Sequence, residues 1–305
     1  MIPVFAVIPV FAQILLDTAL KGAVLVALGA VAAAIAAHRA SATRHMIWTA
    51  IVGSHLVLPA ITVLGPGIRV PLLPPPPWLT IGRASNATLT FVAAVWLVGV
   101  IVGVMPLIFG SLRVASLRRH SVRVEKHPWR VDLRYCASLS APVVCGILRP
   151  TILLPPGAAN WTDARWRLVI EHELAHVRRH DMASQLLAQI ALVAFWFDPL
   201  LAFAVRSMRR EREHACDDLV LETGVAPWEY AHELIEVVRS AQRVPAMAGL
   251  VMPGATGFDA RIVAILDPSR NRRHPSRRDI VLTMLLAILI TIPLGVLRPF
   301  RDPLP

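Results

Sequence analysis

The sequence predicts a mainly α-helical membrane protein in which four transmembrane helices accompany an inserted α+β domain. The chain of 305 residues is 55% hydrophobic and only 17% charged, with a mean hydropathy of +0.58. This composition is too apolar for an ordinary soluble enzyme. Several apolar runs also reach the roughly 20 residues that a helix needs to cross a bilayer. Residues 113–279, by contrast, combine charged helical patterns with short β-type runs.

The predicted spans divide the chain into three parts. Residues 1–112 form an N-terminal membrane region with three spans, and residues 280–305 contain the fourth span and a short tail. The inserted domain occupies residues 113–279 between them. The four predicted spans cover residues 18–37, 46–64, 88–109 and 280–297.

Three basic clusters predict how the chain is oriented in the membrane. They occupy residues 38–45, 113–123 and 269–278, and the positive-inside rule assigns all three to the cytoplasm. The proline-rich loop at 65–83 then lies outside the cell, and the inserted domain is cytoplasmic. We therefore predict a multi-pass protein of the cell membrane, with the lipid bilayer as its first partner.

The charge of the chain has a second interpretation, which we reject. A formal net charge of +11 suggests nucleic acid as a partner. However, no nucleic-acid-reading motif accompanies the charge, and the arginine clusters lie beside apolar runs. We therefore predict no direct nucleic-acid binding.

The apolar run at residues 185–205 does not fit a simple span. Asp198 and Pro199 interrupt it, and its continuous part is short for a helix that crosses the bilayer. We interpret it as a membrane-associated segment that lies at the interface or re-enters the membrane. A fifth span is the alternative.

Three short β-type runs predict a small sheet at the start of the inserted domain. They lie at residues 131–136, 143–146 and 151–154, and prolines bound them. The edge of such a sheet can pair with an extended peptide. Thr162 follows the sheet and is a predicted N-cap for the next helix.

That helix carries an H-E-x-x-H motif, from His172 and Glu173 to His176. Residues i and i+4 share one helix face, so the two imidazoles can converge on one metal ion. The motif predicts Zn²⁺, which lowers the pKa of a water at the site, and Glu173 is placed to take the proton of that water. This is the chemistry of a zinc peptidase. The alternative is a charged surface helix that carries two histidines by chance.

A catalytic zinc site usually has three protein ligands, so one more donor is needed. We favour Glu213, because Asp217 lies one helical turn later and can hold a ligand histidine through its second ring nitrogen. Glu211 competes for the same role. A Cys216 thiol ligand is a further alternative, although a small buried side chain is the simpler interpretation.

Two charged residues follow the motif directly. Arg179 and Asp181 are predicted to support the site by pairing with each other or by bracing the end of the motif helix. A solvated charge cluster is the alternative. The sequence does not distinguish these interpretations.

Five segments together resemble the BlaR/MecR family of membrane zinc metallopeptidases. They are CGILRPTILLP at 145–155, EHELAHVRRHD at 171–181, WFDP at 196–199, EHACD at 213–217 and RIVAILD at 261–267. The resemblance implies a gluzincin-like zinc domain between the third and fourth spans. It also implies that His172, His176 and Glu213 are the metal ligands and that Glu173 is the catalytic carboxylate.

The resemblance further implies a role in signalling. Members of this family cleave, directly or indirectly, a cytoplasmic winged-helix repressor, and some cleave themselves, for which the loop at 246–258 is the accessible place here. Antibiotic-sensing members carry a penicillin-binding domain outside the cell after the last span. Because the sequence ends at Pro305, we expect no such domain and no direct β-lactam sensing.

Two other functions remain open at this point. A membrane quality-control protease would share the zinc chemistry and cleave damaged membrane proteins. A catalytically silent transducer would signal by conformational change alone. A homodimer is compatible with the sequence.

Overall fold

The computed structural model describes residues 4–69, 86–125, 127–242 and 257–298. Most of the predicted outer proline-rich loop, and nearly all of the loop predicted for self-cleavage, lie outside these described residues. Within them, helices dominate, and a small mixed sheet lies between the third and fourth helices of the chain.

Four helices of the described chain are long and apolar enough to cross a membrane, by length and composition. They are α1 (Val4–Ile35), α2 (Ser41–Leu64), α3 (Asn86–Arg119) and the last helix, α9 (Arg277–Val296). A short 3-10 turn, Ala36–His38, extends α1. The helices run beyond most of the predicted spans because hydropathy marks only their apolar centres. In α3 the helix continues ten residues past the predicted end and includes the arginines near its C-terminus.

Helix α2 is the centre of the membrane part. Its side chains Trp48, Val52 and Leu58 pack in one buried cluster with Leu25 of α1. Beyond its C-terminus, a two-residue strand β1 (Ile68–Arg69) pairs in parallel with β6 (Leu297–Arg298), which follows α9. Helices α2 and α9 therefore run in the same direction and begin at the same end of the molecule.

The apolar run predicted at residues 185–205 forms two helices rather than one. Helix α5 (Asp181–Ala194) has 14 residues, fewer than the roughly 17 that a span requires. Helix α6 (Pro199–Leu221) begins after a turn, and Asp198 caps it by accepting hydrogen bonds from the backbone N–H groups of Leu200 and Leu201. The apolar halves of both helices join the buried cluster around α2.

The sheet has strand order β2-β3-β5-β4. Its strands are β2 (Val122–Arg123), β3 (Asp132–Tyr135), β4 (Val143–Cys145) and β5 (Thr151–Leu154), which confirms the three predicted runs. Strand β4 lies at one edge and pairs with β5 in the antiparallel sense. The buried face of the sheet packs against the next helix, α4 (Asp163–Arg178).

Helix α4 begins as predicted, because the Thr162 hydroxyl accepts a hydrogen bond from the backbone N–H of Arg165. Two further helices complete the inserted region. They are α7 (Pro227–Gln242) and α8 (Phe258–Leu266), and both pack against α4 and α6 through a cluster that includes Leu168, Val220 and Ile265.

Candidate metal centre

Three predicted donor residues come together from two helices. His172 and His176 lie one turn apart on α4, with ring centroids 5.0 Å apart. Glu213 reaches them from α6, and its Oε2 atom lies 3.9 Å from His172 Nε2 and 4.0 Å from His176 Nε2. All three donor atoms lie within 4.8 Å of one another.

Asp181 contacts the ring nitrogen of His176 that does not face Glu213. His176 Nδ1 lies 2.8 Å from Asp181 Oδ2, and the Arg179 Nε atom lies 3.4 Å from the same oxygen. A left-handed residue, His180 (φ 55°), separates α4 from α5 and turns the chain so that the Asp181 carboxylate lies beneath His176. Nδ1 of His176 must carry the proton in this bond, which leaves the Nε2 lone pair free for a metal.

The second ring nitrogen of His172 has two partners. Its Nδ1 atom lies 3.0 Å from the Tyr230 hydroxyl and 3.4 Å from Asp217 Oδ1. The Tyr230 hydroxyl donates to Asp217 Oδ1 at 2.7 Å, so it can accept the proton of His172 Nδ1. Both histidines are therefore held with Nε2 facing Glu213.

Two residues of this arrangement were missed by the sequence analysis. Tyr230 lies on α7 outside the five segments of the family resemblance, and Arg261 lies on α8 in the segment 261–267, to which no site role was assigned. Arg261 donates two hydrogen bonds to Asp217, at 2.9 and 2.7 Å. Its guanidinium also lies 3.4 Å from Glu213 Oε2 and 3.4 Å from His172 Nε2. The segment 261–267 contributed to the family resemblance, which was the only available signal for Arg261.

The electrostatics of Glu213 and His172 suit metal binding. Burial alone would raise the pKa of Glu213, but His176, Arg261 and Arg212 outweigh it and hold that pKa below its usual range. Burial, assisted by Arg261, lowers the pKa of His172 to about 4. Glu213 is thus anionic and His172 neutral near pH 7, as metal ligands must be. At His176 burial would lower the pKa, but Cys216, Asp181 and Glu213 outweigh it and raise that pKa, so metal binding there has to displace a proton.

The donor set fits Zn²⁺. Two imidazole nitrogens and one carboxylate are the ligands of many catalytic zinc sites, and donor atoms around one tetrahedral ion lie roughly 3.3–3.6 Å apart. The observed separations of 3.9 and 4.0 Å exceed this range by a few tenths of an ångström. Small side-chain rotations would close the difference. In both histidines the ring nitrogen that faces away from Glu213 has a hydrogen-bond partner, which is also typical of zinc sites.

The competing ligands lie elsewhere. Glu211 binds Arg44 at the start of α2, with Oε2 2.9 Å from Nε and 2.8 Å from Nη2. The Cys216 thiol is fully buried behind the site, where it contacts His176 Nδ1 at 3.2 Å and Asp181 Oδ2 at 3.3 Å. It therefore meets the side of His176 that faces away from Glu213. Cys216 forms a second, overlapping donor group with His176 and Asp181.

Glu173 borders a small cavity beside the donor set. The cavity has a volume of about 50 Å³, and His172, Tyr230 and Pro142 also line it. Pro142 directly precedes β4, the edge strand of the sheet. Burial raises the pKa of Glu173. The cavity thus lies between the glutamate of the motif and the residue that precedes the edge strand.

Comparison with known proteins adds an independent finding. Residues 80–265 match the family described as BlaR1 peptidase M56. The regulatory protein BlaR1 of Bacillus licheniformis is 25% identical over 145 residues, which is 43% of this chain and 24% of that protein. The methicillin resistance mecR1 protein of Staphylococcus aureus is 30% identical over 93 residues, which is 30% of this chain and 16% of that protein. The matched regions thus span about a quarter or less of these relatives.

Proposed function

The chain belongs to the BlaR1 peptidase M56 family, and we propose that it is an integral membrane zinc endopeptidase that cleaves a cytoplasmic regulator. Family membership and the apolar helices point to a membrane metallopeptidase. The proposal adds the metal, the gluzincin-like fold of residues 113–279 and the roles of the site residues. The observation that supports it best is the convergence of His172, His176 and Glu213 within 4.8 Å.

In the proposed reaction, Glu173 acts first as a general base and then as a general acid. Zn²⁺, held by His172, His176 and Glu213, supplies a Lewis acid to the site when it is bound. The Glu173 carboxylate takes a proton from the water that attacks the scissile carbonyl carbon, and it returns this proton to the leaving nitrogen. Its raised pKa makes Glu173 a stronger base than an exposed carboxylate.

We propose that α1, α2, α3 and α9 cross the membrane and that the metal centre faces the cytoplasm. Two of the basic clusters meet at one end of the molecule, which supports this orientation. Asn271 donates to the His38 carbonyl oxygen at 3.3 Å, and Arg270 donates to the Ser41 hydroxyl at 2.7 Å. By the positive-inside rule, that end is cytoplasmic. Helix α5 is then membrane-associated without crossing.

We propose a winged-helix repressor as the substrate and signal transduction as the role. The names of the two relatives, a regulatory protein and a resistance protein, support a regulatory role. Among the described strands, β4 lies at the edge of the sheet, and Pro142, which precedes it, lines the same cavity as Glu173. An extended segment of the repressor can pair with this edge. Self-cleavage in the loop at 246–258 is a second proposed event, and a homodimer is the proposed assembly.

A glutamate substitution tests the catalytic proposal. The purified full chain in detergent, loaded with zinc, is incubated with repressor-type proteins, and cleavage and bound metal are both measured. Glu173→Gln should abolish cleavage while about one zinc ion per chain is retained, because Glu173 is not a ligand. Glu171→Gln is the matched control, since Glu171 lies two residues earlier and pairs with Arg178 instead. It should keep its activity.

The same experiment separates the other functions. Retained cleavage in Glu173→Gln would refute the role of this residue. A wild-type chain that binds no zinc and cleaves nothing would favour a silent transducer. Cleavage of many unfolded membrane proteins at similar rates would favour a quality-control protease.

A further inference from the structure

A second and larger cavity lies at the end of the molecule where α2 and α9 begin. Its volume is about 550 Å³. Arg272 and Arg273 of the segment before α9 line it, and so do Arg178 and Arg179 at the end of α4. None of the residues proposed to bind zinc lines it, and the proposed reaction does not use it.

The lining of this cavity is predominantly positive. Two carboxylates also line it, but both already have partners. Asp218 accepts a hydrogen bond from the Ser41 hydroxyl at 2.7 Å, and Glu222 Oε2 lies 2.8 Å from His274 Nε2. Three of the four lining arginines are paired with carboxylates: Arg178 with Glu171, Arg179 with Asp181 and Arg272 with Asp218. Arg273 is the lining arginine without an acidic partner among the described residues, and it remains available to an anion.

Residues with unused hydrogen-bond donors also line the cavity. Helix α2 begins after Ala40, whose side chain provides no cap, and Ala40 and Ala42 line the cavity. The first backbone N–H groups of a helix without a side-chain cap favour an anionic oxygen. His45, in the next turn, is only 8% exposed and also lines the cavity. Its Nε2 atom has no hydrogen-bond partner among the described residues.

The apolar surroundings of the cavity indicate which kind of anion binds there. Met46 of α2 and Ile280 of α9 form its apolar border. Beyond Ile280, α9 exposes large apolar side chains such as Val281 and Leu285, which suit contact with lipid chains. An occupant that is anionic at one end and apolar at the other matches both parts of this surface. Basic pockets between transmembrane helices on the cytoplasmic side bind lipid headgroups in this way.

We propose that this cavity binds the phosphate of an anionic phospholipid. The phosphate oxygens accept from His45 Nε2, from the first backbone N–H groups of α2 and from Arg273. The acyl chains pass Met46 and Ile280 and lie along the surface of α9. The inference does not depend on the peptidase activity.

Native mass spectrometry of the full chain tests this proposal. The protein is released from nanodiscs that contain equal amounts of phosphatidylglycerol and phosphatidylcholine, and the bound lipids are counted. Wild type should retain one phosphatidylglycerol in preference to phosphatidylcholine. Ala42→Glu should abolish the preference, because its carboxylate would occupy the anion position. A carboxylate is favourable near a helix N-terminus, so the variant should fold.

Matched controls distinguish a specific lipid site from general electrostatic attraction of the lipid to the protein surface. Ala42→Gln has the same size without the charge, and it should retain phosphatidylglycerol better than Ala42→Glu. Arg273→Gln should lower the retained phosphatidylglycerol about fivefold, whereas Arg277→Gln, at the first residue of α9 and outside the cavity lining, should change it less than twofold.

Two outcomes would overturn the proposal. Equal losses in Arg273→Gln and Arg277→Gln would show surface attraction only. Inorganic phosphate that binds the protein in detergent as tightly as phosphatidylglycerol does would show that the cavity selects free phosphate rather than a phospholipid. Phosphatidylglycerol that stays bound in the presence of phosphate would support the lipid assignment.

Discussion

At the scale of single residues, each histidine of the H-E-x-x-H motif has one ring nitrogen fixed by the protein. Asp181 holds His176, and Tyr230 together with Asp217 holds His172. These contacts choose the tautomer in which Nε2 can bind a metal. The sequence motif thus supplies the ligands, but residues outside the motif determine which atoms face the ion.

The Tyr230 hydroxyl gives the first prediction. Tyr230→Phe removes the acceptor for His172 Nδ1 and leaves the imidazole less firmly oriented. Loss of such a supporting hydrogen bond typically weakens metal affinity about 10- to 100-fold. Zinc affinity is measured by competition with a chromophoric chelator. Tyr135→Phe is the matched control, because Tyr135 lies on strand β3, where its ring packs edge-on against Trp166 of α4. Equal zinc affinities in wild type and Tyr230→Phe would contradict the assigned role.

Arg261 gives the second prediction. Its guanidinium lies beside Glu213 and His172, where a cation can stabilise negative charge on the oxygen of the scissile carbonyl. Arg261→Gln should lower the cleavage rate about 100- to 1,000-fold. Single-turnover cleavage and zinc content are measured on the same samples.

The zinc content decides what Arg261 does. If Arg261→Gln loses activity and keeps zinc, the guanidinium acts on the reaction. If zinc is lost in parallel with activity, Arg261 serves mainly to hold Asp217 and Glu213, and the prediction is wrong. Arg165→Gln, on the same helix as the histidines but paired with Glu233, is the control.

At the scale of elements, α6 has two functions on two faces. One face presents Glu213 and Asp217 to the site. The other binds the start of α2, where Arg44 donates to Glu211 and Ser41 donates to Asp218. The helix that completes the donor set is therefore attached to a proposed transmembrane helix by buried polar contacts.

The Arg44–Glu211 pair gives the third prediction. Both side chains are largely buried, so Arg44→Met leaves the Glu211 carboxylate with the exposed Arg210, 3.8 Å away, as its remaining ionic partner among the described residues. This should cost up to about 3–5 kcal/mol of stability. Removing both charges, in Arg44→Met with Glu211→Met, should restore most of the loss because no unpaired charge remains. Thermal unfolding in detergent measures both variants. A double variant no more stable than Arg44→Met would contradict this explanation.

Local elements of the site were predictable, whereas the contacts between them were only partly so. The i, i+4 spacing placed His172 and His176 on one helix face, and the family pattern pointed to Glu213. Tyr230 and Arg261 were not predicted because α7 and α8 reach the site through packing, 58 and 89 residues away from His172. That packing depends on apolar contacts such as those of Ile265, which have no counterpart in a local pattern.

At the scale of the whole molecule, the donor set joins two parts of the fold. Helix α4, with both histidines, packs on the sheet, whereas the N-terminal half of α6 packs against α2. A shift of α6 with the membrane helices relative to α4 would therefore change the distance between Glu213 and the imidazoles. This connection offers a physical route from the membrane to the proposed catalytic centre.

The fourth prediction tests this connection through His55 of α2. The ring of His55 is fully buried, with Nε2 3.4 Å from Asp198, the N-cap of α6. A Cβ atom at Gly22 of α1 would overlap this ring. Gly22→Ala should therefore displace His55 and α6, and it should weaken zinc affinity at least about fivefold, the lower end of typical coupling between distant sites.

A second glycine provides the control. A Cβ atom at Gly53 of α2 would lie 3.8 Å from Leu187, an ordinary packing distance, so Gly53→Ala should leave zinc affinity unchanged. Affinities are compared only for samples with the same folded fraction, because overpacking at Gly22 also costs about 1–3 kcal/mol of stability. If Gly22→Ala lowers stability and leaves the zinc affinity of the folded chain unchanged, then α6 does not transmit movements of the membrane helices to Glu213.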